Sequence, residues 1–330
     1  MKTQNNSYQA YYVRESNNEF KGSIENLSIE TLHTNDTLIR VSYSSLNYKD
    51  ALSVTGNKGV TRNYPHTPGI DAVGIVIESI DSSLVGKKVI VTGNDLGMNT
   101  PGGYSDYISV PKEWVVLLPK GLTMAESMMY GTAGFTAALS VYRLCQFVQP
   151  EDGPVLVTGA TGGVGSIAVR LLSHLKYDVV AVSSKTESYT QLEKFGAKEI
   201  ISRQTLLENS DKPLLKGKYA GVIDSVGGDF LSTVLKYVKM NGVVTCCGNI
   251  RGQEFTASIF PFILRGIQLQ GITSASCDYT TKTKIWQLLS TKWQLTNLHD
   301  QVTTISLNEL NEYVPQILTG QLKGRTIIKI

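Results

Sequence analysis

The stretch that most restricts how this chain can fold is P-V-L-V-T-G-A-T-G-G-V-G-S-I-A-V-R-L-L, residues 154–172. Val155, Leu156 and Val157 make a short apolar run of the kind that becomes a strand buried on both faces. Glycines follow at Gly159, Gly162, Gly163 and Gly165. Val164, Ile167, Ala168, Leu171, Leu172 and Leu175 then recur at i, i+3, i+4, i+7, i+8 and i+11, the stripe of a helix lying on a sheet. Strand, glycine turn and helix together are the setting a dinucleotide fingerprint requires. Glycine allows a tight turn and a close approach of backbone N–H groups to a pyrophosphate, whose charge then sits at the positive end of the helix. A βα turn without a ligand needs one or two glycines, not four.

Around this stretch the chain changes rhythm. From Tyr8 to about Met128 short apolar or alternating runs (37–43, 72–80, 88–92, 105–110) are broken by Gly, Pro, Asn and Asp, which predicts a twisted, partly closed antiparallel sheet. Residues 126–146 switch to helix-type composition. From Gly153 strands and helices alternate: strands at 154–159, 178–183, 199–201, 219–224, 242–247 and 267–271, helices at 163–175, 187–195 and 229–238. Six strands with intervening helices predict a doubly wound parallel sheet whose ligand crevice lies at the strands' carboxyl ends. A helix at 280–289, a strand at 302–307, a helix at 307–320 and a closing strand R-T-I-I-K-I lie beyond those six, so this tail is expected to return to the first domain. The fold expected is α/β, with a β-rich domain of residues 1–128 and 275–330 and a dinucleotide-binding domain of residues 129–274.

Composition narrows the function classes. With 42% hydrophobic and 18% charged residues the chain is of globular type. A net charge of +3, without a basic run, gives no reason to expect nucleic acid or a membrane surface as partner. The first ten residues hold no apolar core of signal-peptide length and no 18-residue apolar stretch occurs, so a cytoplasmic location is expected. Cys145, Cys246, Cys247 and Cys277 show no C-x-x-C spacing and read as reduced structural thiols. His33, His66, His174 and His299 are scattered, with no metal-binding spacing.

Seven segments in order, S-S-L-N-Y-K-D-A-L (44–52), P-G-I-D (68–71), G-T-A-G-F-T-A (131–137), V-T-G-A-T-G-G-V-G-S (157–166), V-V-A-V-S (179–183), P-F-I-L-R (261–265) and G-R-T-I-I-K-I (324–330), resemble the medium-chain dehydrogenase/reductase superfamily, over nearly the whole chain. They are most similar to its zinc-free branch of quinone oxidoreductases and acryloyl-CoA reductases. The resemblance implies a GroES-like catalytic domain beside a Rossmann domain, NADPH as cofactor and reduction of an activated C=C bond. It implies an acyl-CoA or quinone substrate, with acryloyl-CoA associated with the branch, and a homodimer joined through the strand near 267–271. Zinc-dependent relatives carry a Cys in the segment matching 47–50 and Gly-His-Glu in the one matching 69–71. Here those read Asn47-Tyr48-Lys49-Asp50 and Gly69-Ile70-Asp71, with no cysteine in the first 144 residues, so no metal is expected.

Cofactor type is read about 20 residues past the first glycine, where NAD sites place an acid on the ribose 2′-OH. Ser183, Ser184 and Lys185 stand there, two hydroxyls and an ammonium suited to a 2′-phosphate; the family's triplet is S-G-R-like. Arg203, after the next strand, matches a basic residue of the family and is a second candidate. By motif match Thr161, Gly162, Gly163 and Val164 line the pyrophosphate, Gly248 lets backbone approach the cofactor, and Arg325 lies near it or sits solvated at a strand start. Tyr48 offers a phenol to a developing enolate oxygen or to the cofactor, with Asn47 and Asp50 orienting it. Asp71 is the other polar group of the motif. Asp50 and Asp71 read equally well as buried carboxylates accepting backbone hydrogen bonds, and Thr132 and Thr136 as caps or nicotinamide contacts. Arg62, Lys58 and Lys49 could meet CoA phosphates. A non-enzymatic NADPH-binding protein is the distant alternative.

Overall fold

The computed structural model describes residues 7–32 and 35–330; His33 and the first six residues lie outside them. Contacts divide the chain into two units, one of residues up to Thr132 with Ala275–Ser290 and Asn297–Ile330, the other of Ala133–Ser274 with Thr291–Thr296.

The first unit opens with a hairpin, β1 (Ser7–Ser16) and β2 (Glu19–Ser28), followed by β3 (Thr37–Leu46), a short helix α1 (Tyr48–Val54), β4 (Asp71–Ser79), β5 (Lys88–Thr92), β6 (Tyr107–Val110) and β7 (Val116–Leu117). Helix α2 (Met124–Leu144) is broken at Gly131, whose φ of 51° and ψ of −158° are not helical. Along β3 the inward residues alternate, Thr37, Ile39 and Val41 buried, Arg40 exposed, as a half-buried strand requires. Ile39 and Val41 meet Ala72, Val76, Val89, Val91, Ile108 and Val110 in one cluster.

The second unit runs β8 (Val155–Val157), α3 (Gly163–His174), β9 (Val179–Val182), α4 (Tyr189–Lys194), β10 (Ala197–Ile201), α5 (Arg203–Leu207), β11 (Tyr219–Asp224), α6 (Gly228–Tyr237), β12 (Val238–Cys246), α7 (Phe260–Arg265) and β13 (Gln268–Gly271). Its sheet has the order β10-β9-β8-β11-β12-β13, every pair parallel. β8, β9 and β11 are buried throughout, because helices cover both faces of such a sheet. On α3, Ile167, Ala168, Leu171 and Leu172 are buried as the stripe predicts, and Val169 and Arg170 are buried too. The Arg170 guanidinium lies 4.7 Å from the centre of the Phe195 ring.

The chain then returns to the first unit with α8 (Tyr279–Leu289), β14 (Val302–Ser306), α9 (Leu310–Leu318) and β15 (Arg325–Lys329). β15 pairs antiparallel with the end of β3, Thr326 opposite Leu46, and parallel with β14, giving the order β14-β15-β3-β4-β5-β7 with β6 also on β3. Ile305, Leu310, Val314 and Ile328 of the returning segment pack with Leu46, Ala51 and Val54. The last strand and helix thereby fix the β3–α1 corner that carries Asn47 and Tyr48. The fold is the expected pair of a GroES-like domain and a Rossmann sheet; the β1–β2 hairpin and α1, α5 and α7 had no clear signal in the sequence. Among the described residues no helix is long and apolar enough to cross a membrane.

Candidate active site

In the second unit the glycine turn joins β8 to α3. Gly159 has φ +60°, and a Cβ there would press on Ser225 Oγ at 2.5 Å. A Cβ at Gly165 would run into the Gly159 carbonyl, so helix and turn touch backbone to backbone. Gly162 is the residue before α3, and a Cβ on it would meet only the Gly159 oxygen, at 3.4 Å. The space at this helix start is therefore open, with the first-turn N–H groups available to an anion. Thr158 Oγ1 donates to Asp224 Oδ1 at 2.6 Å, and the Gly227 N–H donates to Asp224 Oδ2 at 2.8 Å, which locks the ends of β8 and β11. Burial raises the Asp224 pKa against those two bonds. Gly248 crosses the same loop: a Cβ on it would collide with the Ser225 carbonyl.

At the end of β9 the Lys185 N–H donates to Ser183 Oγ at 3.1 Å, and the Arg203 N–H donates to Ser184 Oγ at 3.1 Å. Ser183, Ser184, Lys185 and Arg203 thus form one polar corner, and no carboxylate occupies the position an NAD site would use. A phosphate-bearing dinucleotide fits this unit: open N–H groups at the helix start, and hydroxyls with cations at the ribose position.

The first unit holds a buried polar cluster around Asp71, the first residue of β4. Asp71 Oδ2 accepts from Ser45 Oγ (2.5 Å), Asn47 Nδ2 (2.9 Å) and the Thr132 N–H (2.9 Å); Oδ1 accepts from Thr132 Oγ1 (2.6 Å). Asp50 Oδ2 accepts from the Asn47 N–H at 2.9 Å and from its Nδ2 at 3.1 Å, while Oδ1 accepts from the Ile70 N–H at 2.8 Å. Arg325 donates through Nη2 to Ser45 Oγ (2.7 Å), through Nη1 to Asn47 Oδ1 (3.1 Å) and the Leu46 carbonyl (3.4 Å), and through Nε to the Met129 carbonyl (3.1 Å). Ser45 and Asn47 therefore relay the guanidinium to both carboxylates. Gly131 closes the cluster, since a Cβ there would sit 2.6 Å from Asp71 Oδ2 and 2.7 Å from both Arg325 Nη2 and Ser45 Oγ.

Such burial is costly for charges unless they are compensated. Asp50 is fully buried, and its pKa is pushed up to about 7, by burial first and then by the charge of Asp71, against the donors from Ile70 and Asn47. Burial pulls the Arg325 guanidinium below its usual value, opposed by Asp71 and Asp50. A second buried cation, Lys282 of α8, donates to the carbonyl of Thr92, the β5 residue opposite Asp71, at 3.0 Å. Burial lowers the Lys282 pKa, opposed by the nearby Cys277 and Asp71. Tyr48, the first residue of α1, is 37% exposed and takes no part in these hydrogen bonds.

Comparison with known proteins gives the geometry a context. Residues 33–120 match the alcohol dehydrogenase GroES-like domain family, and residues 163–291 match the family described as zinc-binding dehydrogenase. YhfP of Bacillus subtilis, which carries a quinone oxidoreductase name, is 41% identical over 98% of this chain and 99% of its own. The chain belongs to the medium-chain dehydrogenase/reductase family. The acrylyl-CoA reductase AcuI of Ruegeria pomeroyi is 37% identical to this medium-chain dehydrogenase/reductase over 96% of each chain. A crystal structure of YhfP with NAD bound superposes with a TM-score of 0.96 at 40% identity, covering 99% of this chain and 100% of YhfP. The yhdH oxidoreductase of Salmonella enterica in complex with NADP gives 0.95 at 38% identity, covering 98% and 99%.

Of the residues singled out in the sequence of this medium-chain dehydrogenase/reductase, the structure gathers Asn47, Asp50, Asp71, Thr132 and Arg325 into one cluster. Thr161, Gly162, Gly163 and Val164 lie at the turn, and Ser183, Ser184, Lys185 and Arg203 at the corner beside β9. Arg325 is neither solvated nor loosely placed: it is 5% exposed, with its donors engaged by protein acceptors. The Asn47 side chain bonds both carboxylates and the guanidinium, so it can act on Tyr48 through the backbone that joins the two residues. Lys58 pairs with Glu15 at 2.7 Å, both side chains remaining partly exposed. Among the described residues no group of three or more His, Cys, Asp or Glu side chains is arranged to hold a metal ion. Sequence reasoning missed Ser45, Gly131 and Lys282. Ser45 lies inside the quoted S-S-L-N segment, but a lysine within T-K-T-K reads as a solvated helix face.

Proposed function

We propose that this chain is an NADPH-dependent reductase of a conjugated thioester, converting acryloyl-CoA to propanoyl-CoA without a metal. The observation that carries the reading is the pairing of an AcuI-like sequence over nearly the full length with a partly exposed phenol, Tyr48, beside a buried polar cluster. The first unit is the catalytic domain and the second the dinucleotide-binding domain. NADPH, when bound, supplies the hydride that adds to the β-carbon, and a proton from solvent or a side chain completes the α-carbon. As the hydride arrives, negative charge builds on the thioester oxygen, and Tyr48 donates its hydroxyl hydrogen toward that oxygen. Asn47 and Asp71 fix the β3–α1 corner so that Tyr48 is presented in one orientation, and Arg325 holds Asn47 in place. A second reading, NADPH:quinone oxidoreductase, is favoured by the similarity to YhfP. Following NADPH absorbance with acryloyl-CoA, crotonyl-CoA and 1,4-benzoquinone side by side decides between them. Absence of turnover with every electrophile sinks both, and favours a non-enzymatic NADPH-binding role.

In this reading Thr161, Gly162, Gly163 and Val164 receive the pyrophosphate, and Gly248 lets the backbone come near the cofactor. Ser183, Ser184, Lys185 and Arg203 take the 2′-phosphate. Because a structure of the relative YhfP contains NAD, the preference of this chain is a matter of its own corner residues. A charge-assisted hydrogen bond contributes about 1.5–3 kcal/mol. Lys185→Ala is therefore expected to weaken NADPH about tenfold to a hundredfold and to leave NADH nearly unchanged. Equal use of NADH and NADPH by the wild-type protein would show the corner to be misassigned.

The protein acts in the cytoplasm as a homodimer joined through β13. That strand ends the Rossmann sheet, and beside it Ile259, Phe260, Ile263 and Leu264 are 61%, 42%, 65% and 57% exposed. An open edge with contiguous exposed apolar groups invites a second copy. Light scattering is expected to give a dimer mass for the wild type and a monomer mass for Ile263→Glu; a monomeric wild type rules the assembly out.

A further inference from the structure

Beside the β9 corner, two arginines share one carboxylate. Asp229, in the first turn of α6, lies 3.3 Å from Arg251 Nη2 and 3.8 Å from Arg203 Nη2. Arg203 is tied to the corner by its own N–H, which donates to Ser184 Oγ, and its guanidinium lies 5.6 Å from the centre of the Phe230 ring. Arg251 is placed by its N–H, which donates to the Val226 carbonyl, and by Gly228, where a Cβ would meet the Arg251 carbonyl at 2.8 Å. The result is a continuous series, Ser184, Arg203, Asp229, Arg251, at the carboxyl ends of the sheet strands. The side chains of both pairs are 40–44% exposed, so each is a loose, solvent-screened ion pair that a stronger anion can displace.

We infer that Asp229 moderates the NADPH preference of this chain by competing with the 2′-phosphate of NADPH for Arg203, and that Arg251 tempers that competition by drawing the carboxylate to itself. This rests on the reading of the β9 corner as the 2′-phosphate site and goes beyond it in naming an antagonist and its restraint. A phosphate monoester carries about −1.5 to −2 at neutral pH and outcompetes a single carboxylate for a guanidinium. The carboxylate that remains nearby still repels it. NADH has no such group at its ribose and is indifferent to Asp229. The arrangement therefore lowers NADPH affinity selectively, and the strength of the effect depends on how firmly Arg251 holds Asp229.

The test is equilibrium binding to the full-length protein at low salt, with NADPH, NADH, 2′-AMP and 5′-AMP as ligands. Asp229→Asn is expected to tighten NADPH and 2′-AMP about twofold to fivefold, the range of one exposed ion pair, and to leave NADH and 5′-AMP unchanged. The gain should shrink in 0.5 M salt, where exposed charges are screened. Arg251→Ala should weaken 2′-AMP, because Asp229 then rests wholly on Arg203, and adding Asp229→Asn should restore most of that loss. Such rescue is not available to a variant that has merely damaged the fold. If Asp229→Asn weakens 2′-AMP, or the double variant shows no rescue, Asp229 orders the arginines instead of competing with them and the inference falls. If Lys185→Ala and Arg203→Ala leave 2′-AMP binding untouched, the corner itself has been misread and the inference goes with it.

Discussion

Tyr48→Phe is expected to lower kcat for acryloyl-CoA by about 10²–10³, the usual worth of one preorganised donor at a developing oxyanion. The change deletes only the phenol hydroxyl from a side chain that takes no part in the buried cluster, so the fold and cofactor affinity should hardly change. Quinone reduction places charge on a better delocalised oxyanion and should lose less. The comparison separates the two proposed functions: acryloyl-CoA should show the higher kcat/KM in the wild type and the larger loss in the variant. Steady-state kinetics on both substrates, with NADPH affinity measured separately, provide the check. A protein that reduces benzoquinone well, ignores acryloyl-CoA and tolerates the substitution would overturn both substrate and role.

Arg325→Met is expected to cost about 3–5 kcal/mol of stability, the penalty for stranding buried charge when one partner is removed. Ser45, Asn47 and the Met129 carbonyl lose their donor, and Asp50 and Asp71 lose the cation relayed to them. For a unit of this size the unfolding temperature should fall by roughly 6–20 °C. A pH signature accompanies the change. Asp50 has its folded pKa raised from an unfolded value near 3.9 to about 7. Between those values the folded chain binds more protons than the unfolded one, so this group's contribution is present at low pH and is lost as pH rises from about 4 towards 7. Its slope is at most about 1.4 kcal/mol per pH unit. Removing Arg325 raises the Asp50 pKa further and extends the decline to higher pH, whereas Asp50→Asn should flatten it. Urea melts at pH 5, 6, 7 and 8 provide the measurement. If the wild type is no more pH-sensitive than Asp50→Asn across this window, the account of Asp50 is wrong.

The local signals were faithful where one short segment contains its own cause. The glycine turn is specified by the close approach of Gly165 to the Gly159 carbonyl, and both residues lie within seven positions of each other. The Ser183–Lys185 run at the end of β9 is equally local, with the Lys185 N–H donating to Ser183 Oγ. Elements without periodic apolar residues, such as α1 with its buried Asp50, Ala51, Ser53 and Val54, gave no pattern to read. Asp71 could be named from its motif, but not its partners, which arrive from β3, α2 and β15.

By itself the sequence determined the two-part α/β plan, the glycine turn and the run of two serines and a lysine, without an acid, after the second strand of the parallel sheet. These follow from periodicity and from steric demands that only glycine meets, and both act over a few residues. Only the tertiary structure decided that Arg325, near the end of the chain, is buried beside Asn47, that Lys282 is buried against the carbonyl of Thr92 opposite Asp71, and that Arg203 and Arg251 share Asp229. Charge compensation in a low-dielectric interior depends on distance in space, and β15 returning onto β3 brings together residues 278 positions apart.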